Sequence, residues 1–468
     1  MNILSPEILH EISTDKVLLP TSESFSYPEK VLQFGTGVLL RGLPDYYIDK
    51  ANKQRIFKGR VAVVKSTSSG SIQDFVEQKG IFTLCVKGLS NGNVVEEYIV
   101  NNSITRVLEA ASDWSEIIKI AKSADLEVVI SNTTEVGIVS SDDKVGDNPP
   151  NSFPGKLLSV LYHRYQYFNG DVEKGLVILP TELISDNGIK LKDIVLSLCD
   201  KNNLGEDFKN WLLVANDFCS TLVDRIVPGK LPTVEHEAVE KYLGYQDNLM
   251  IMAEPFALWA IESDSDRVKS KLSFAQTDSS VIIVPSINKY KEIKLRLLNA
   301  THTFSCAAAL LSGVKTVKEA MQDDLFTVYV KNLMTQEIGP SIIDSELTEE
   351  DVTAFSNSVI DRFSNPFLEH QWSAIAMNYP SKVAMRCVPL LSKWYAKHTE
   401  TPKYMALGIA AFLKMQAQNE NKSVDELIND QSIWGEDLNA YPDFVESINK
   451  NLEQIADRGI LKAIAVNL

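Results

Sequence analysis

The chain has 468 residues, 44% of them hydrophobic and 23% charged, the composition of an ordinary globular protein with room for roughly two or three packed cores. A formal net charge of −16 argues against broad nucleic-acid binding, because a phosphate backbone demands a basic face. Five singly scattered cysteines without a CxxC pair, and six dispersed histidines without HExxH, argue against a disulfide framework and offer no metal-ligand spacing.

The opening residues, MNILSPEILHEIS, carry acids and no basic start before an apolar run, so no secretory signal is expected. The longest apolar stretches, such as 404–413, are about half the length of a membrane span. A cytoplasmic protein that engages neither membrane nor nucleic acid is the expectation.

Residues 29–34 predict a strand ending in a glycine turn, and residues 39–51 the start of a helix. Strand, glycine turn and helix form the context of a dinucleotide fold, because glycines let the backbone approach a pyrophosphate at a helix N-terminus. Phe34, Gly35, Thr36, Gly37 and Val38 are therefore candidate cofactor contacts. Gly35 and Gly37 fill two positions of GxGxxG, but Leu40 stands at the third, so the fingerprint is incomplete. The run RVAVVKST at 60–67 predicts a second buried parallel strand. At its end, where an acid would bind the ribose 2′-hydroxyl of NAD, stand Lys65 and Ser66. The missing acid leaves the choice of cofactor open, and Lys65 could favour a 2′-phosphate.

Alternating segments between Phe75 and Leu108 predict a β-hairpin inserted into the basic fold. A buried strand over 126–132 follows, and the polar residues Asn132, Thr133, Thr134 and Glu135 at its carboxyl end are candidates for the nicotinamide side. A proline-rich loop at 147–156 leads into a helix to Tyr167. A further apolar strand at 175–183 runs into Asp186, Asn187 and Gly188, a strong turn signal at a strand's carboxyl end. Residues 280–285 give a last strand-like run.

From about Asn288 the pattern changes to long helical periodicities. The expected fold class is α/β: a Rossmann-like dinucleotide-binding domain over 1–280, with a β insertion, followed by a mostly α-helical domain over 281–468. The active site is expected in a cleft between them. In the segment KLRLLNATHTFSC at 294–306, an α-helix would place Lys294, Asn299 and His302 within a sector of roughly 140°. A lysine beside Leu295 and Leu298 can exchange protons, since desolvation disfavours its charged form. Asn299 offers an amide to an oxygen that gains charge, and His302 an orienting contact; on spacing alone a solvated lysine, a capping asparagine and a satisfied core histidine are the alternative. Lys382 and Arg386, four residues apart on a predicted helix, face the same way, either as a solvated basic face or as the candidate cations for an anionic substrate.

The KxxxxNxxH segment resembles the catalytic helix of the polyol-specific long-chain dehydrogenases, the mannitol dehydrogenase family. FGTGVLLRG (34–42), SNTTEVGI (131–138), LPTELISDNG (179–188), CSTLVDRIVPG (219–229), LGYQD (243–247) and RFSNPF (362–367) are similar to the branch of that family that interconverts tagaturonate and altronate. The resemblance implies an NAD-dependent, metal-free enzyme of hexuronate catabolism, a monomer or small homo-oligomer acting on a sugar acid. It implies Lys294 as general acid and base, Asn187 and Asn299 as holders of the reacting oxygen, and His302 as their companion. It adds Arg41 as the basic residue of a GxGxxxR variant, and Asp224 and Arg225 as a substrate-side pair. Two departures stand out: Lys291 where mannitol dehydrogenases carry a glutamate, and Ala257 where relatives often carry a larger or polar residue. Fructuronate reduction or mannitol oxidation on the same scaffold is the nearest alternative, and a non-catalytic nicotinamide or sugar-acid sensor is the alternative of another class.

Overall fold

The computed structural model describes all of residues 1–468 except Ser68, Ser69 and Glu135. The expected nicotinamide-side Glu135 therefore lies outside the described residues. The chain forms two compact units, one of Met1–Lys87 and Val95–Ile287, the other of Gly88–Val94 and Asn288–Leu468.

Twelve strands are described: β1 Glu29–Phe34, β2 Arg60–Lys65, β3 Phe82–Ser90, β4 Asn93–Asn101, β5 Ile104–Glu109, β6 Val128–Ser131, β7 Val177–Pro180, β8 Asp217–Phe218, β9 Thr221–Asp224, β10 Ile251–Ala253, β11 Leu258–Glu262 and β12 Val281–Val284. A parallel six-stranded sheet has the order β5-β2-β1-β6-β7-β8. Its inner strands are short valine, leucine and isoleucine runs, buried on both faces as a parallel sheet requires. Alternation along each strand splits these side chains between two cores. Val31, Val61, Val63, Val128 and Ile130 join Tyr47, Phe82, Trp259 and Phe274 on one face. Leu32, Phe34, Ala62, Val64 and Val129 join Trp114, Leu157, Leu161 and Phe208 on the other.

The inserted hairpin is β3 and β4, turned at Asn91 and Gly92, both with positive φ as a two-residue type I′ turn needs. β3 belongs to a three-stranded sheet of order β10-β3-β4, and a further sheet has the order β12-β11-β9.

The second unit is helical around one large core. Its helices Thr301–Ser312 and Lys403–Glu420 are buried over most of their length. Gly408 explains how closely they pack, since a Cβ there would lie 2.9 Å from the Phe304 carbonyl oxygen. A Rossmann-like domain followed by a helical one is the fold class expected from sequence. Among the described residues, no helix is long and apolar enough to cross a membrane.

Candidate functional site

In the first unit the candidate residues gather at the carboxyl ends of β1, β2, β6 and β7. Gly35 takes φ +127°, and a Cβ on it would sit 2.9 Å from both the Asn132 carbonyl oxygen and the Leu40 side chain, so only glycine fits the turn. Its N–H donates to the Val64 carbonyl, tying the turn to β2. Gly37 differs: a Cβ there would meet nothing within 4 Å. The half-buried Gly35, Thr36 and Val38 and the exposed Gly37 thus leave an open backbone at a helix start, which suits a dinucleotide's phosphates. Phe34 points into the core against Phe153. Arg41 is buried as well: it donates to the Leu249 carbonyl at 2.6 Å and stands over the Phe75 and Phe82 rings, so the structure gives it an interior bracing task.

Lys65, 6% exposed at the end of β2, donates to the Glu109 carboxylate and to the Thr67 carbonyl, both at 2.9 Å, whereas Ser66 is exposed. After β6, the Asn132 N–H donates to the Phe34 carbonyl and its amide to Thr181. Thr133 donates through N–H and hydroxyl to one oxygen of Glu182, and Ser131 donates to the other. Burial pushes the Glu182 carboxyl up, against the pull of these donors. Thr134 is exposed with φ +99°, an uncommon conformation for a residue with a branched side chain.

Asn187 is committed to the backbone. Its amide hydrogens are shared among the carbonyls of Pro180, Glu182 and Thr221 at 3.0–3.2 Å, and its Oδ1 accepts from the N–H groups of Gly188 and Thr221 at 2.9 Å. Buried to 1% exposure, it staples the β7 loop to β9, a different task from the expected hold on a reacting oxygen. Gly188 shows why the next position is glycine: a Cβ would come within 2.4 Å of the Cys219–Ser220 peptide. Asp224 is buried at the end of β9. Arg225 donates to the Gly42 and Glu254 carbonyls and lies over Tyr46 at 4.5 Å, again a buried brace.

In the second unit, Lys294–Ala300 is π-helical and runs directly into the α-helix Thr301–Ser312. In i to i+5 geometry, residues five apart stack about one turn apart, so Asn299 sits over Lys294 more closely than an α-helix would allow. Both are half-buried. Arg296, on the same turn, donates to the Met385 and Arg386 carbonyls at 3.0 and 2.8 Å and pairs with Glu292. It satisfies the free carbonyls at the end of helix Tyr379–Arg386 and fixes that helix, which carries Lys382 and Arg386, against the lysine's turn.

His302 is buried, stacked on Phe363 at 4.1 Å between ring centroids and edge-on to His370 at 5.1 Å, and its Nε2 has no hydrogen-bond partner. Burial, then the charges of His370, Arg362, Arg386 and Lys382, hold its pKa well below the ordinary histidine value. The ring is neutral at pH 7. Lys382 donates to the Ile375 carbonyl at 2.8 Å; Arg386 reaches the Thr303 hydroxyl at 3.4 Å and leaves its buried Nε unpartnered. Neither has a carboxylate partner among the described residues. The second unit thus brings Lys294 and Asn299 onto one helical turn and holds against that turn the helix that carries Lys382 and Arg386.

Residues 29–275 match the family model described as the mannitol dehydrogenase Rossmann domain, and residues 286–423 match the mannitol dehydrogenase C-terminal domain. The chain belongs to the mannitol dehydrogenase family. It is an oxidoreductase acting on CH–OH groups. This family member is 36% identical over 462 residues to the altronate oxidoreductase of Bacillus subtilis, covering 94% of this chain and 95% of that one. It is 34% identical to the altronate oxidoreductase of Phocaeicola vulgatus, over 95% and 98% of the two chains. Among solved structures, its fold is similar to Pseudomonas fluorescens mannitol 2-dehydrogenase in a ternary complex with NAD and D-mannitol (TM-score 0.70, 20% identity, 99% of each chain). It is also similar to substrate-free D-sorbitol dehydrogenase (TM-score 0.79, 18% identity, 99% and 100% of the two chains).

Three residues beside the candidate side chains carry no motif that announces them. Glu182 lies inside LPTELISDNG, but only the fold brings it to Ser131 and Thr133. Arg296 stands between two apolar residues of the lysine's helix, and a buried arginine there needs distant carbonyls, which was the available signal. His370 follows an exposed glutamate and becomes informative only beside His302.

Proposed function

We propose that this dehydrogenase interconverts tagaturonate and altronate with NAD(H) as redox partner, in hexuronate catabolism in the cytoplasm, as a monomer or small homo-oligomer. The observation that carries the reading is the Lys294, Asn299 and His302 set in one unit with Lys382 and Arg386, two cations without carboxylate partners among the described residues of a protein of net charge −16. Bound NAD(H) supplies or accepts the hydride. The open turn at Gly35 to Gly37, with Asn132 and Thr133 beside it, would hold the cofactor.

In reduction, Lys294 gives its proton to the ketone oxygen as the hydride adds to carbon; in oxidation it takes that proton back. Asn299 donates an amide hydrogen to the oxygen as it gains charge. His302, kept neutral, offers one ring nitrogen as donor or acceptor to a substrate hydroxyl without adding charge. Lys382 and Arg386 bind the carboxylate, Arg386 through a guanidinium with donors to spare. Asp224 is kept as a contact for substrate hydroxyls. Asn187, Arg41 and Arg225 act through the frame they brace.

The test is NADH consumption with tagaturonate, fructuronate and fructose in parallel. Selective turnover of tagaturonate is expected, and K382A and R386A should raise KM for the sugar acid far more than for uncharged fructose. Preference for fructuronate would overturn the substrate, and silence with all three would overturn the reaction.

A further inference from the structure

The acid that would select a free ribose 2′-hydroxyl is absent from β2, yet the structure places one beside that strand's end. Glu109 closes β5, directly opposite Lys65 in the β2–β5 register. Its Oε1 accepts from Lys65 Nζ at 2.9 Å, and the lysine's second bond, to the Thr67 carbonyl, points the ammonium back toward its own loop. Lys65 is nearly enclosed, its side chain 6% exposed, whereas the Glu109 side chain is 41% exposed. The pair therefore turns its carboxylate outward and its cation inward. The Glu109 backbone is fixed too, because its N–H donates to Asp113 at 2.8 Å. All this lies at the carboxyl edge that holds the glycine turn, since Gly35 N–H is bonded to the residue just before Lys65.

We propose that Glu109 supplies from β5 the acid missing from β2, and that by occupying Lys65 it sets the site against a dinucleotide bearing a 2′-phosphate. The inference rests on the dinucleotide reading above and deepens it. A ribose hydroxyl can donate to the exposed carboxylate. A 2′-phosphate, carrying close to two negative charges, would meet that carboxylate and find the nearby ammonium already neutralised. Lys65 read alone favours the phosphate; Lys65 paired does not.

Dissociation constants for NADH and NADPH, measured by nucleotide fluorescence on the whole protein and needing no turnover, test this. The unaltered protein should bind NADH more tightly. Glu109→Gln frees Lys65 while keeping the side chain's size, and should shift the NADH-to-NADPH preference toward NADPH by about tenfold or more. Lys65→Gln approaches the pair from the other side and should move the preference further toward NADH, so either variant suffices should the other fail to fold. In the double variant the gain for NADPH should disappear. Tight NADH binding with an unchanged ratio in a folded E109Q protein overturns the role of Glu109 and leaves the dinucleotide reading standing. An unaltered protein that binds neither nucleotide overturns both.

Discussion

Replacing Asn187 by alanine separates a structural staple from a catalytic donor, because the two roles predict opposite patterns. The substitution removes an Oδ1 that satisfies two buried N–H groups, of Gly188 and Thr221, and an amide shared by three carbonyls. The Pro180 carbonyl keeps the Thr221 hydroxyl as a donor, so its loss is partial. Two orphaned N–H groups at about 1–3 kcal/mol each put the cost near 4 kcal/mol, less if water enters the space left behind. Asn187→Asp keeps the acceptor but turns its second oxygen against the carbonyls, and should also destabilise. The assay is urea unfolding, reading the midpoint at constant slope. A free donor to the reacting oxygen would instead lower kcat about 10²–10³-fold without touching the midpoint. An N187A protein that unfolds at the unaltered midpoint while turnover collapses would refute the staple.

Lys294→Ala should lower turnover by about two or more orders of magnitude in a steady-state assay while nucleotide binding, read by fluorescence, is retained. The pKa of His302 is depressed on folding, so between its folded value and about 6.5 the unfolded chain binds more protons; stability is full above that range and lost as pH falls into it. His302→Gln should remove a slope of up to about 1.4 kcal/mol per pH unit, checked by thermal melts between pH 7 and 5. Glu337 has the opposite dependence. Burial pushes it up to about 8 although it accepts from the Tyr404 and Met405 N–H groups. Its contribution is full below about 4.5 and lost as pH rises toward about 8, so E337Q should flatten melting temperature across that interval.

The parallel strands were legible because Val31–Leu32, Val61–Val64 and Val128–Ile130 are continuous apolar runs of strand length, and only burial on both faces calls for such runs. The hairpin was legible because Asn91 and Gly92 carry the turn chemistry between two alternating segments. Buried polar residues were not. Arg41, Arg225 and Asn187 stand in motifs that suggest ligand contacts, yet each is spent on the backbone, and the distant partners, Leu249 for Arg41, Gly42 for Arg225 and Thr221 for Asn187, leave no trace in local sequence. The π-turn at Lys294–Ala300 was equally hidden. Its residue types are those of an α-helix, and the contacts made from the turn, Arg296 to the end of helix Tyr379–Arg386 and Leu297 and Leu298 to the core, come from distant segments.

The charge pattern of the second unit points the same way as its geometry. Lys289, Lys318 and Lys393 each have an acidic partner, at Asp351, Glu369 and Glu292. Desolvating a cation without a counter-charge is unfavourable. Lys382 and Arg386 have no carboxylate partner among the described residues and lie near a histidine whose ring their charge helps to keep neutral. Burial disfavours the charged form of both. A fold that needed them only for packing would be more stable with a glutamate nearby. The arrangement makes physical sense if the missing counter-charge arrives with the substrate: a carboxylate there would relieve the electrostatic cost on binding. An uncharged polyol would not, which is why the substrate proposed above is a sugar acid.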